Sequence, residues 1–258
     1  MLNRSIAPIA YPIELIKFPE VRSTSLSNGI EIQSLALGEQ AVFKLEFTVA
    51  GGASMAEKAG IASLTSSLMK RGTSQRDATK IHHLFDYYGA FWDVQTNLDY
   101  ATFVLYGLSK HLESLLPYVL EIIQDANFPK EEFEKEIAIE VQKNKLNWQK
   151  TAFSASQLLR QELFNNDTYG RISTHESIEA IEHADLVNFH AKHWLNGMPK
   201  IFLSGSIGPA EIEAVQRTFE QITTRQTNPA IPFMAQGFNP KVIRDYRENA
   251  LQSSIRMG

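Results

Sequence analysis

The sequence predicts an α+β domain with a mixed, largely antiparallel sheet packed with helices. Strand-like segments occur in pairs around turn residues, at 21–37 and 90–108, as antiparallel hairpins do. Helical segments also come in runs rather than one after each strand, which argues against the regular alternation of a doubly wound sheet. Hydrophobic residues make up 43% of the 258 residues, which is enough for a sizeable core.

The predicted strands are defined by alternation and by turn signals. Asn28-Gly29 lies between the first two strands and predicts a hairpin with a type I′ turn. The third strand ends at Gly51-Gly52, and residues 97–99 form the turn of a second hairpin. The predicted strands are 21–27, 30–37, 41–50, 90–96, 100–108 and 199–206.

The predicted helices follow the spacing of apolar residues at three and four positions. In the segment 111–126, for example, Leu115, Val119, Ile122 and Ile123 fall on one face. The predicted helices are 59–71, 78–88, 111–126, 131–147, 153–164, 177–181, 184–194 and 209–222.

The residues outside these elements divide the chain into four parts. Residues 1–20 form a proline-punctuated, extended arm, and residues 21–222 form the α+β domain. Residues 223–249 carry little periodicity and several prolines, which is typical of a linker. Residues 250–258 predict the start of another strand.

Composition and charge exclude several kinds of partner. The net charge of −4 gives no electrostatic basis for binding nucleic acid or an anionic membrane. The absence of cysteine excludes disulfides and thiolate chemistry. No secretory h-region and no run of about 20 apolar residues is present in the sequence. We therefore predict a soluble, cytoplasmic protein without nucleic-acid or membrane partners.

The most informative motif is the predicted helix at 60–73, which reads G-I-A-S-L-T-S-S-L-M-K-R-G-T. It resembles the signature of the M16 zinc peptidases (pitrilysin, insulinase, mitochondrial processing peptidase), G-x-A-H-F-L-E-H-M-x-F-K-G-T. Gly60, Ala62, Gly72 and Thr73 stand in register with that signature. Further blocks resemble the family in the same order along nearly the whole chain.

The resemblance implies a LuxS/MPP-like metallohydrolase fold in which this chain is the N-terminal one of two homologous halves. Residues 250–258 would then be the start of a second half that is cut short. The family's two zinc histidines match Ser63 and Ser67, and its catalytic glutamate matches Ser66. Positions i, i+3 and i+4 share one face of a helix, so a metal and a base can act together there.

The family's third zinc ligand is a glutamate in a later helix. Aligning Glu134-Lys135 with the family pattern E-R-x-V-x-x-x-E places Val141 at that ligand position. Glu140 is one residue away, and one helical step turns a side chain by about 100°. The resemblance thus implies that the zinc expected in the family is not bound here. We predict no cofactor, no catalytic residue and no peptide hydrolysis by this chain alone.

In the M16 family, a catalytic and a non-catalytic homologue often form one chamber together. The resemblance therefore implies a heterodimer in which a homologue carrying H-x-x-E-H is the catalytic partner. The expected substrate is a peptide or unfolded polypeptide, which adds as a strand to an exposed sheet edge. The predicted binding edge comprises Phe91, Trp92, Asp93, Val94, Gln95 and Thr96.

Three other interpretations remain open from the residues. The chain could be a stand-alone peptide-binding or structural assembly module. Ser67 and Lys70 form S-x-x-K, the nucleophile motif of penicillin-binding proteins and class A β-lactamases, but no S-D-N accompanies them. His190 and His193 have a spacing that suits two metal ligands, but we expect them to be surface positions on a polar helical segment instead.

Overall fold

The fold is built on a six-stranded sheet in the computed structural model, which describes residues 11, 18–164, 168–223, 241–248 and 250–258. The strand order is β1-β2-β6-β3-β5-β4, with β2 and β6 parallel and the other neighbours antiparallel. This confirms the predicted mixed, largely antiparallel sheet. The strands are β1 (Arg22–Ser25), β2 (Glu31–Ala36), β3 (Val42–Val49), β4 (Phe91–Thr96), β5 (Ala101–Leu108) and β6 (Lys200–Gly205).

Alternation along the central strands separates a buried face from a polar face. In β3, Phe43, Leu45, Phe47 and Val49 are buried, and the residues between them are partly exposed. Since successive side chains of a strand point to opposite faces, one face of the sheet forms the floor of the core. The ring of Trp194, from the helical layer, stacks on Phe47 with ring centroids 6.2 Å apart.

The helices cover that apolar face, and α1, α2, α3, α7 and α8 all contribute buried residues to the same core. By contrast, α4 and α5 bury few side chains and form an exposed helical hairpin. The helices are α1 (Ile61–Leu68), α2 (Ala78–Tyr87), α3 (Leu112–Gln124), α4 (Lys130–Trp148), α5 (Thr151–Phe164), α6 (His175–Glu179), α7 (His183–His190) and α8 (Pro209–Phe219). A π-helical turn, Ala191–Leu195, extends α7.

The first hairpin differs from the predicted type I′ turn. A two-residue loop would pair Ser27 with Ile30, but Leu26 pairs with Ile30, because the Leu26 amide donates to the Ile30 carbonyl at 2.8 Å. The three-residue loop places Gly29 at φ 85°, as in a type I turn followed by a glycine bulge. Asn28 instead caps the C-terminal end of α8 (Pro209–Phe219), since its Nδ2 donates to the carbonyls of Phe219 and Ile222, each at 2.9 Å.

The last predicted strand is absent from the described part of the tail. Residues 250–258 form no ladder with a neighbouring strand, and Arg256 instead donates from Nε to Ser156 Oγ of α5 at 3.0 Å. A strand needs a pairing partner, and this segment has a helix beside it. The predicted arm and linker lie largely outside the described residues. The domain boundaries, including the start of a second half, therefore stay predictions.

None of the helices in the described part of the chain is both long enough and apolar enough to cross a membrane.

Candidate functional site

Helix α1 lies at the centre of the site and is buried along most of its length. It begins immediately after Gly60, whose φ of 103° lies in the left-handed region, so Gly60 itself cannot be part of the helix. A Cβ at Gly60 would also lie 3.1 Å from Ile181 Cδ1. The glycine therefore fixes where the helix starts and allows the Ile181 side chain to approach closely.

Ser66 joins α1 to the edge strand β4. It is only 3% exposed, and its hydroxyl shares a 2.6 Å hydrogen bond with Thr96 Oγ1. Thr96 Oγ1 also lies 3.3 Å from the Ala62 carbonyl. The position that sequence resemblance matched to the family's base thus holds a hydroxyl that links the helix to the sheet.

Ser67 joins α1 to the long helix α4. Its Oγ donates to Glu136 Oε1 at 2.6 Å, and Arg71 donates from a terminal guanidinium nitrogen to Glu136 Oε2 at 3.1 Å. Glu136 is 8% exposed. Its two oxygens accept hydrogen bonds from Ser67 in α1 and from Arg71 just after α1. A buried carboxylate satisfied in this way acts as a structural bridge between two helices.

Ser63 faces a pocket of about 260 Å³ between α1 and α4. Its hydroxyl donates to the Gly60 carbonyl of its own helix at 3.3 Å. Glu140 lines the same pocket and forms a 2.7 Å ion pair with Lys143. Val141, the residue that sequence alignment placed at the third ligand position, is buried in α4.

Strand β4 is an edge of the sheet, so only every second residue of its backbone hydrogen-bonds to β5. The Asn97 amide donates to the Tyr100 carbonyl at 2.9 Å, so hydrogen-bonded pairs recur at every second residue from there. By that alternation, the amide and carbonyl groups of Trp92, Val94 and Thr96 point away from β5. The residues predicted as a binding edge therefore do lie on a free edge within the described sheet.

Asp93 covers part of that edge. Its Oδ1 accepts from the Val94 amide at 2.9 Å and forms an ion pair with Lys70 Nζ, also at 2.9 Å. Burial raises the pKa of Asp93, but the hydrogen bond and charge of Lys70 and the Val94 amide outweigh it, and the pKa lies below its usual range. The carboxylate is thus ionised at neutral pH and accepts a hydrogen bond from the Val94 amide, near the middle of the edge strand.

Comparison with known proteins places this arrangement in a family. The family model for insulinase (peptidase family M16) matches residues 38–176, which is more than half of the chain and includes α1, β4 and α4. The chain belongs to peptidase family M16. An uncharacterized zinc protease from Rickettsia bellii (strain RML369-C) is 21% identical over 195 residues, covering 74% of this chain and 47% of the relative. The M16 chain thus spans about half the length of that relative.

Solved structures have the same fold. The M16 inactive domain from Pseudomonas fluorescens superposes with a TM-score of 0.78 at 23% identity, covering 84% of this chain and 54% of that one. A protease from Helicobacter pylori gives a TM-score of 0.68 at 18% identity, over 84% and 53% of the two chains. The periplasmic protease PqqL from Escherichia coli gives 0.73 at 16% identity, over 86% and 26%. At these identities, the likeness establishes the fold alone.

The S-x-x-K residues of the M16 chain are not arranged for acyl transfer. Ser67 donates to Glu136, whereas Lys70 is paired with Asp93 on β4. Lys150-Thr151-Ala152 is a partial match to the K-T-G that accompanies S-x-x-K in penicillin-binding proteins and class A β-lactamases, and Lys150 donates to Asn147 Oδ1 at 2.8 Å in the turn between α4 and α5. A serine nucleophile needs a base within hydrogen-bond reach, and the nearest described partner of Ser67 is a carboxylate that already binds Arg71.

His190 and His193 are buried and turned to separate partners. His190 Nε2 lies 2.9 Å from the Ile123 carbonyl, and His193 Nδ1 lies 2.6 Å from the Ala50 carbonyl. Burial lowers the pKa of His190 to about 4 and also lowers the pKa of His193. Across the described residues, no three His, Asp or Glu side chains gather in a way that could hold a metal ion. Because both histidines are buried, the prediction that they are surface residues is wrong.

Sequence reasoning missed Glu136, which accepts from Ser67, and also Asn144 and Arg160, which line the pocket beside Ser63. These residues lie on elements whose tertiary contacts no local motif reveals. One signal was available for Glu136, since it lies four residues before Glu140 and therefore shares its helical face.

Proposed function

We propose that this M16 chain is a non-catalytic subunit of a two-chain peptidase, in which it holds a peptide and completes the chamber of a catalytic homologue. The observation that carries the proposal is the joining of α1 to β4 and α4 through Ser66 and Ser67. These hydroxyls hold α1 against its neighbours and supply none of the family's catalytic groups.

The donor groups at the family's metal positions do not fit zinc. Structural and catalytic zinc sites use thiolate, imidazole or carboxylate ligands, and Ser63, Ser67 and Val141 offer two neutral hydroxyls and a hydrocarbon. The nearest carboxylates are already engaged, Glu136 by Ser67 and Arg71, and Glu140 by Lys143. Hydrolysis of a peptide bond by this chain would need both a metal-bound water and a base.

The free edge of β4 supports the peptide-binding part of the proposal. A peptide that adds as a strand would exchange main-chain hydrogen bonds with Trp92, Val94 and Thr96, while side-chain contacts set its specificity. The outward ring of Phe91 is exposed and lies 6.1 Å from that of Tyr106, so apolar surface is available beside the edge. The alternative function, a stand-alone peptide-binding module, uses the same edge but needs no catalytic partner.

Co-expression with a homologue that carries H-x-x-E-H tests the proposal. The full-length protein containing this chain should show neither stoichiometric zinc nor peptidase activity alone. The pair should co-purify and should cleave a labelled peptide faster than the homologue does alone. Peptidase activity in the lone chain would overturn the proposal, and peptide binding without any effect on the homologue would favour the stand-alone module.

Removing the carboxylate of Asp93 should strengthen peptide binding. A peptide strand must now displace Asp93 from the Val94 amide, and a hydrogen bond to a charged group contributes about 1.5–3 kcal/mol. When a peptide displaces it, the Asp93 carboxylate regains part of this free energy by solvation. We therefore expect Asp93→Ala to raise peptide affinity by about five- to tenfold, or about 1–1.4 kcal/mol. Fluorescence anisotropy with a labelled Val/Thr-rich peptide measures it.

The matched control is Glu39→Ala, which removes a carboxylate from an exposed loop far along the sheet from the β4 edge. It should leave the affinity unchanged. Equal affinities for the parent and the Asp93→Ala variant would show that the peptide does not use the Val94 amide.

A further inference from the structure

The pocket beside Ser63 has features that the proposed function leaves unexplained. It is enclosed by α1, α4, α5 and the segment that precedes α6, and its volume is about 260 Å³. That is slightly below the common range of about 300–1,000 Å³ for small-molecule sites, so it suits one amino-acid residue better than a nucleotide. Its polar lining includes Ser63, Glu140, Asn144, Arg160, Arg171 and Ser173.

Two guanidinium groups in this lining have no acidic partner among the described residues. Arg160 donates from one terminal nitrogen to Gln157 Oε1 and to the Arg171 carbonyl, each at 2.9 Å. Arg171 donates to the Ala56 carbonyl. Both side chains therefore meet only neutral acceptors, although arginine remains charged in proteins. Burial lowers the pKa of Arg160, because its charge is partly removed from water without a compensating anion.

The pocket also contains buried polar atoms without partners. Asn144 is 7% exposed, and its Nδ2 donates to the Ser173 carbonyl at 3.0 Å, while its Oδ1 has no partner in the described structure. The Nε atom of Arg160 is likewise buried and unpaired. Buried polar groups are nearly always satisfied in proteins. An unpaired acceptor and an unpaired cationic donor in one lining therefore indicate a ligand with both kinds of group.

We propose that this pocket binds a carboxylate with a neighbouring N–H donor, the chemistry shared by a peptide C-terminus and a free amino acid. The carboxylate would pair with Arg160 and Arg171, as guanidinium groups do in bidentate geometry. The N–H donor would satisfy Asn144 Oδ1. A phosphate dianion fits less well, because it carries no N–H donor for the unpaired acceptor of Asn144.

The proposal does not depend on the β4 edge or on a catalytic partner. It uses Ser63, a position where an active M16 helix carries an imidazole, because the small serine leaves room in the pocket. The two binding functions can therefore fail separately, since Asp93 lies on β4 and Arg160 lies on α5.

Calorimetric titration of the lone chain with small probes tests the ligand class. N-acetylglycine has both groups, N-acetylglycinamide lacks the carboxylate, and acetate lacks the N–H donor. We expect N-acetylglycine to bind at least about tenfold more tightly than either of the others, and more tightly than inorganic phosphate. Stronger binding of free glycine than of N-acetylglycine would identify a free amino acid as the source, and the reverse would identify a peptide C-terminus.

Two variants locate the binding in the pocket. Arg160→Gln should weaken N-acetylglycine binding by about tenfold or more, because it removes the charge that pairs with the carboxylate. Ser63→Leu changes an exposed residue and should block the pocket while both arginines remain. Arg217→Gln, at an exposed ion pair on α8, is the control and should bind like the parent.

Circular dichroism confirms the fold of each variant before titration. Absence of N-acetylglycine binding in the folded parent chain would overturn the proposal, as would tighter binding of phosphate. Unchanged binding in folded Ser63→Leu would place the ligand elsewhere and would overturn it as well.

Discussion

The double variant Ser63→His, Ser67→His is expected to bind stoichiometric zinc, whereas the parent chain is not. Histidines at i and i+4 of a helix place two imidazoles on one face, which is the arrangement that holds zinc in H-x-x-x-H helices. Carboxylates are already close to both positions, since Glu136 contacts Ser67 and Glu140 lines the pocket beside Ser63. We expect zinc affinity to rise by about a hundredfold or more, or about 2.7 kcal/mol.

Elemental analysis after dialysis and cobalt absorption spectra measure the gain. Ser63→His alone is the matched control, because one imidazole on an exposed helix position should bind zinc only weakly. The expectation fails if the parent chain retains zinc after dialysis at the level of the double variant. Peptidase activity is not expected from the double variant, because Ser66, which the family resemblance matches to the catalytic base, offers only a neutral hydroxyl.

Acid should destabilise the chain well before its carboxylates titrate. The folded pKa of His190 is about 4, below its ordinary value of about 6.5, because the ring is buried. The unfolded state therefore binds the proton more readily than the folded state between these two values. The contribution of neutral, buried His190 to the free energy of unfolding is fully present above about pH 6.5, and about 3 kcal/mol of it is lost as the pH falls to about 4. His193 adds to the loss, since burial lowers its pKa too.

Urea unfolding at several pH values measures this loss. In the same interval, His190→Gln should show a clearly smaller slope of unfolding free energy against pH, because glutamine keeps an N–H donor for the Ile123 carbonyl and does not titrate. His83→Gln, at an exposed position of α2, should keep the slope of the parent. The carboxylates with lowered pKa values, such as Asp93 and Asp185, lose their contribution only at lower pH. An unchanged slope in His190→Gln would contradict the assignment.

Most elements of this fold follow from local patterns, because alternation and helical spacing are properties of short segments. Residues 41–50 and 111–126 were predicted as a strand and a helix for this reason, and the structure places β3 and α3 there. The first hairpin was mispredicted because Asn28 hydrogen-bonds to the carbonyl of Phe219 at the end of α8, 191 residues later in the chain, at 2.9 Å. A turn motif carries no information about such a distant partner.

The candidate site shows the same division. The positions of the three serines on one helix could be predicted from their spacing, and the edge position of β4 from the family resemblance. The partners of the serines could not be predicted, since Glu136 and Thr96 come from two other elements whose approach is a property of the tertiary fold. The same holds for the pocket beside Ser63, because Arg160 lies on α5 and Arg171 lies between α5 and α6.

The carboxylate of Asp93 also has a consequence for the chain before it meets any peptide. An uncovered edge strand is a template on which another copy of the same protein can grow an intermolecular sheet. By accepting a hydrogen bond from the Val94 amide, Asp93 makes pairing between two copies of the chain harder. The proposed peptide binding would be hindered by the same side chain, so variants selected for tighter peptide binding at β4 should be more prone to aggregate.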